Sequence, residues 1–259
     1  MQGPSGVVAL VLAETAVGGA ALLWLAGFWG HVKRGFFILT SATVLGFALL
    51  STLAGGAGLD PGAGGAGVAG VVLLAGTAVA LALSLCALIL RWSLAGRVLG
   101  LLAIPLGLAA LVALARVVTP SFPVALTQLL AGAAFMGAVI DGLLLGHWYL
   151  VDRRLPRDHI RRIAVLLLAT VTLEIVGVVL SGFGDVAVSA EFSPLLGISG
   201  LATWLALGMV GVTALIAVLI RASLRGGEAR AVQAATGFFY LAVITAFAGE
   251  MAAKVRFIG

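Results

Sequence analysis

Val7-Val8-Ala9-Leu10-Val11-Leu12-Ala13-Glu14-Thr15-Ala16-Val17-Gly18-Gly19-Ala20-Ala21-Leu22-Leu23-Trp24-Leu25-Ala26-Gly27-Phe28-Trp29 is a run of apolar and small residues interrupted by one carboxylic acid. A bilayer core ~30 Å thick takes ~20 helical residues to cross. A secretory leader is an unsuitable reading, because no basic residue precedes the run and Glu14 falls inside it. The stretch therefore predicts a retained membrane-spanning helix. Seven further stretches of the same kind follow, at 35–54, 67–90, 98–116, 124–150, 163–184, 198–221 and 231–253. Apolar residues make up 62% of the 259, and mean hydropathy is +1.23, which leaves no room for a soluble domain. None of the runs carries the polar stripe of a soluble amphipathic helix. The expected fold is all-α, an eight-helix polytopic membrane protein, since helices and closed barrels alone satisfy every backbone group in lipid.

The charges predict orientation. Twelve of the fifteen Lys and Arg residues fall in the loops after spans one, three, five and seven, leaving Arg116, Lys254 and Arg256 for the other side. The positive-inside rule makes the basic loops cytoplasmic and both termini external. The net charge of +5 then reports topology, and nucleic acid is not an expected partner. Trp29, Phe36, Trp92, Trp148 and Tyr149 gather at the basic end, as an interfacial aromatic belt would. Cys86 is the lone cysteine, which excludes an internal disulfide and a cysteine-built cluster and leaves packing as its expected role. Gly-rich 55–66 lacks the Lys-Ser/Thr of a phosphate loop and reads as a flexible outer connection. Usage rich in Ala, Gly, Leu and Arg suggests a bacterial inner membrane.

The halves of the chain resemble each other. Ala87-Leu88-Ile89-Leu90-Arg91-Trp92-Ser93-Leu94-Ala95-Gly96 closes span three, and Ala217-Val218-Leu219-Ile220-Arg221-Ala222-Ser223-Leu224-Arg225-Gly226 closes span seven. Gly30-His31 and Gly146-His147 close spans one and five, and Ala42-Thr43-Val44 matches Ala169-Thr170-Val171. Four spans separate each pair, so the copies share one orientation. This predicts two four-helix units, 1–122 and 123–259, related by a pseudo-twofold along the membrane normal. His31 and His147, and separately Arg91 and Arg221, would occupy equivalent depths. The 36 glycines point to close helix packing.

Ionisable groups inside spans are functional candidates because lipid makes them costly. On the helical rise, Asp141 lies ~15 Å, Glu174 ~18 Å and Glu14 ~21 Å from the basic boundary. Each shares a face with small or polar residues: Glu14 with Gly18 and Ala21, Asp141 with Ala134 and Gly137, Glu174 with Thr170, Gly177 and Ser181. No Lys or Arg lies at that depth, so the three carboxyls are expected to carry protons, bind a cation, or act as hydrogen-bonded glue. Glu250, near the outer end of span eight, is placed to line an exit, with a solvated helix-end carboxylate as the favoured reading. His147 is placed to ligate haem iron or to hydrogen-bond a quinone carbonyl, with His31 as its repeat partner. His159, among Arg157, Asp158, Arg161 and Arg162, reads as part of a solvated or lipid-facing loop. No hydrolase constellation is present: there is no nucleophile elbow and no His-Glu-x-x-His.

Eight spans in two four-helix units, opening on Glu14-Thr15-Ala16-Val17-Gly18-Gly19-Ala20-Ala21, resemble the membrane subunits of the NrfD-like, polysulfide-reductase anchor family. The resemblance implies quinol oxidation or reduction beside a peripheral redox partner, with Glu14 as a proton or quinol contact. Gly58-Leu59-Asp60-Pro61 stands where that family carries an Asp-Leu-Gly-Arg-Pro-type segment. Three functions follow as expectations. The first is a membrane subunit of an electron-transfer complex, with quinone or haem b near His31, His147, Arg91 and Arg221, and Glu14, Asp141 and Glu174 as a proton path. The second is a proton- or cation-coupled secondary transporter in which the carboxyls are the site. The third is a scaffold anchoring other subunits.

Overall fold

The computed structural model describes residues 3–30, 32–59, 64–118, 121–152, 155–182, 200–226 and 229–257. Eight α-helices run through them: α1 Gly3–Gly27, α2 Arg34–Gly58, α3 Gly64–Ile89, α4 Ser93–Ala115, α5 Phe122–Val151, α6 Asp158–Leu180, α7 Leu201–Ser223 and α8 Ala229–Lys254. A short 3-10 turn, Val255–Phe257, extends α8. Each helix covers one expected span and is long and apolar enough to cross a membrane, making the chain a multi-pass membrane protein. Helices extend into the Gly-rich segment, with α2 reaching Gly58 and α3 starting at Gly64. Apolar surroundings hold even glycine in helix there, because an unpaired backbone group in lipid costs more than glycine's entropy. Asp60 and Pro61 lie outside the described residues.

The helices pack in two closed circuits. α1, α2, α3 and α4 each touch the next and α4 returns to α1; α5, α6, α7 and α8 do the same. The circuits meet through α1 and α5, with lesser contacts of α1 to α8 and of α5 to α2 and α4. Small residues permit that central crossing. A Cβ added at Gly18 would overlap the Ala133 carbonyl, and one at Gly137 would run into the Gly18 backbone. Backbone-to-backbone approach of this kind is how helices associate where lipid supplies no hydrophobic drive. Interhelical hydrogen bonds add to it: Ser51 Oγ donates to Ala9 O at 2.8 Å, Ser84 Oγ to Gly96 O at 2.7 Å, and the Thr213 and Thr245 hydroxyls pair at 2.7 Å.

At the basic end, several side chains depart from the sequence expectation. Trp92 is 64% exposed, but Phe36 and Tyr149 are buried and Trp29 and Trp148 half-buried. Trp148 lies against Gly35, where a Cβ would collide with its ring, and Tyr149 Oη donates to Pro156 O. Trp148 and Tyr149 thus pack against neighbouring backbone, while Trp92 keeps the exposure expected of a belt residue. His159 is likewise not in a loop: it occupies the first turn of α6, buried, with Nε2 2.7 Å from Gly30 O and its ring edge-on to Trp29. Lys33 pairs with Asp152 at 2.7 Å across the same end. Cys86, expected in the packing, is exposed on α3 instead.

Candidate functional site

The end of the bundle opposite the basic loops holds the most concentrated buried chemistry. Glu14 sits ~16 Å along α1 by helical rise, and Lys254 is the last residue of α8. Helical side chains tilt toward their own N-termini. α1 and α8 run in opposite directions, so Glu14 leans toward the end of the bundle and Lys254 leans back into it. Lys254 Nζ forms an ion pair with Glu14 Oε1 at 2.9 Å and donates to Glu250 Oε2 at 2.7 Å. All three side chains are fully buried. This overturns the expectation that the membrane carboxyls lack a basic partner, and it moves Glu250 from solvent into the protein. Helix spacing accounts for both findings: Glu250 and Lys254 are four apart on one face, and the lysine stem carries its ammonium inward.

Glu174 joins from α6, with 0% exposure, and Gln128 from α5. Gln128 Nε2 donates to Glu174 Oε1 at 3.3 Å, and the Glu174 carboxyl also meets that of Glu250. Small residues make the space: the Glu14 carboxyl lies directly against Gly132 of α5, where an added Cβ would come within 2.7 Å of Oε1. Glu14 Oε2, Glu250 Oε1, Glu174 Oε2 and Gln128 Oε1 are buried without a hydrogen-bond donor. The cluster thus holds three carboxyls, one ammonium and surplus acceptor oxygens. Buried acceptors need donors, and a buried carboxylate without a partner carries a penalty of several kcal/mol.

Arg256 lies two residues beyond Lys254, at the same end of the bundle. Its guanidinium donates to Ser181 Oγ at 2.9 Å, to Thr203 Oγ1 at 3.2 Å and to Gly182 O, tying the end of α6 to α7 and α8. Sequence reading placed Arg256 only as an end charge. Sequence reading does not place Gln128 and Lys254 in the cluster; the Glu250-to-Lys254 spacing is the signal that points to that pair.

Asp141 is separate. It is 1% exposed on α5, and both its oxygens lack a partner. It lies nine residues, ~14 Å of helix, from Gly132, which the Glu14 carboxyl touches. The structure therefore brings Glu14 and Glu174 together and leaves Asp141 near the basic half. The expected basic-end ligands are not gathered. His147 is exposed on α5, and His31 lies outside the described residues. Arg91, also exposed, takes a left-handed φ of 66° in the turn that ends α3, where Trp92 N donates to Ala87 O and Arg91 N to Leu88 O. Arg221 instead remains helical in the last turn of α7 and lines a crevice with Arg161. Among the described residues, no group of three or more His, Cys, Asp or Glu is arranged to hold a metal ion. Comparison with protein-family models, curated proteins and solved structures finds no match to the chain.

Proposed function

We propose that this chain is a proton-translocating membrane protein of the secondary-transporter class, and that the Glu14, Glu174, Glu250 and Lys254 cluster is where the proton is held. The observation that carries this reading is the imbalance of three buried carboxyls against one ammonium, with acceptor oxygens left over. Lys254 holds Glu14 and Glu250 in place as their counter-ion. Glu174, with only an amide donor, is the carboxyl left to gain and lose the mobile proton. Asp141, alone on α5 toward the basic end, stands outside this cluster; in this reading the positive-inside rule makes the basic end cytoplasmic, in a bacterial inner membrane, with both termini outside.

The binding region of such proteins lies between structural repeats, and a tandem arrangement of two four-helix units about a pseudo-twofold fits the packing. Each half forms the same circuit of neighbours, with its first helix at the junction. His31 and His147 are 116 positions apart, and at the crossing Gly18 meets Ala133 and Gly137, 115 and 119 positions on. These spacings support the repeat, in which equivalent residues of α1 and α5 would stand at about the same depth.

The reading as a quinone- or haem-binding subunit of an electron-transfer complex, which the resemblance to the polysulfide-reductase anchors favours, has less geometric support. Of its four expected ligands, His147 and Arg91 point outward and apart from the crevice that Arg221 lines. Proteoliposomes enclosing a pH-sensitive dye test the proposal. Under a potassium diffusion potential set by valinomycin, the wild type should acidify the interior faster than protein-free vesicles, and Glu174→Gln should abolish the difference. Flux that Glu174→Gln leaves intact, or no flux in the wild type, overturns the reading.

A further inference from the structure

At the basic end, α1, α6 and α7 leave a crevice of about 580 Å³ that none of the preceding chemistry uses. Its charged rim is formed by Arg161 and Arg162 of α6 and Arg221 of α7, and Asp158 is its one acid. A second hollow of about 300 Å³, sharing Arg161 and Arg221, adds Arg225. Two arginines are oriented by the fold. Arg162 lies over the Trp29 ring at 5.6 Å, and Arg161 donates to the Leu224 carbonyl at 3.2 Å. Three guanidinium groups against one acid line the crevice, and a fourth lines the adjoining hollow that shares two of them; such an excess of positive charge makes a site for an anion, and guanidinium forks match phosphate oxygens.

The lower wall says which anion. Leu25, Val165 and Leu166 line the crevice about one helical turn deeper than Trp29 and the Arg161-Arg162 pair, toward the membrane interior. Leu25 and Val165 are 39% and 48% exposed, so the apolar part opens sideways to the hydrocarbon. A free phosphate ion would leave that wall unused, whereas a lipid fills both parts at once. We infer that this crevice binds an anionic phospholipid of the adjoining leaflet, its headgroup phosphate held by Arg161, Arg162, Arg221 and Arg225 and an acyl chain lying along Leu25 and Val165. Basic pockets between transmembrane helices are suited to such headgroups. The site sits at the opposite end from the proton cluster and is independent of its role.

Native mass spectrometry of the detergent-released protein tests this with three probes: phosphatidylglycerol, phosphatidylcholine of the same acyl chains, and inorganic phosphate. The wild type should bind phosphatidylglycerol at least about tenfold more tightly than phosphatidylcholine, and inorganic phosphate should not displace it. Each arginine near an anionic headgroup contributes about fivefold. Arg161→Gln with Arg221→Gln should therefore erase the preference, and Arg225→Gln alone should lower it severalfold in a chain with all helix contacts kept. Arg91→Gln, an equal loss of charge at the same end, should leave it unchanged. Equal binding of the two lipids, an equal loss in Arg91→Gln, or displacement by inorganic phosphate overturns the inference; the last result would assign the site to a free anion.

Discussion

Glu14 and Asp141 make the instructive pair. Both are carboxyls buried at the packed centre of the bundle, one on α1 and one on α5, on either side of the crossing at Gly18 and Gly137. Glu14 has a lysine 2.9 Å away and two further carboxyls around it; Asp141 has no hydrogen-bond partner. The first arrangement is a network whose members depend on one another. The second is a single group that the fold tolerates. The difference teaches that burial alone does not make a network; a held counter-ion ringed by acceptor oxygens does.

Substitutions can break this contrast in graded fashion. Lys254→Met should have the largest effect, because removing one partner of a buried pair strands the others at a cost of ~3–5 kcal/mol. Thermal unfolding in detergent measures it, and adding Glu14→Gln to the same chain should restore much of the loss. A double variant no better than Lys254→Met would show that the two do not act as a pair. Gly18→Ala comes next. Its methyl meets the Ala133 carbonyl with backbone on both sides, so the central helices must part, at ~1–3 kcal/mol for an overpacked contact. The crossing lies between the two carboxyls, so this change should disturb both. Asp141→Asn should have the smallest effect, ~1 kcal/mol or less, since no hydrogen bond is lost. A larger loss at Asp141 than at Lys254 would invert the contrast.

The fold was legible because eight apolar runs of bilayer length leave no alternative, and the helix ends deviate from the expected spans by a few residues where Gly-rich backbone stays helical. The burial of Glu14, Asp141 and Glu174 was legible too, from the small residues sharing their faces. Their grouping was not. Depth estimated from Cα position placed Lys254 at the edge and Asp141 beside Glu14, since it ignored the tilt of side chains along each helix and the reach of a lysine stem. His159 reads as part of a loop because its neighbours in sequence are arginines, and Trp29 as part of an interfacial belt because it lies at the basic end of its span. Their partners, Gly30 and Arg162, come from the meeting of the α1 and α6 ends, which no local pattern encodes.

Infrared difference spectroscopy of the purified protein across a pH titration bears most directly on the proposal that the cluster holds a proton. A pH-dependent, deuterium-sensitive carboxylic acid C=O band that disappears in Glu174→Gln and survives in Asp141→Asn is the expected result. A spectrum in which Glu174→Gln removes no such band would contradict it.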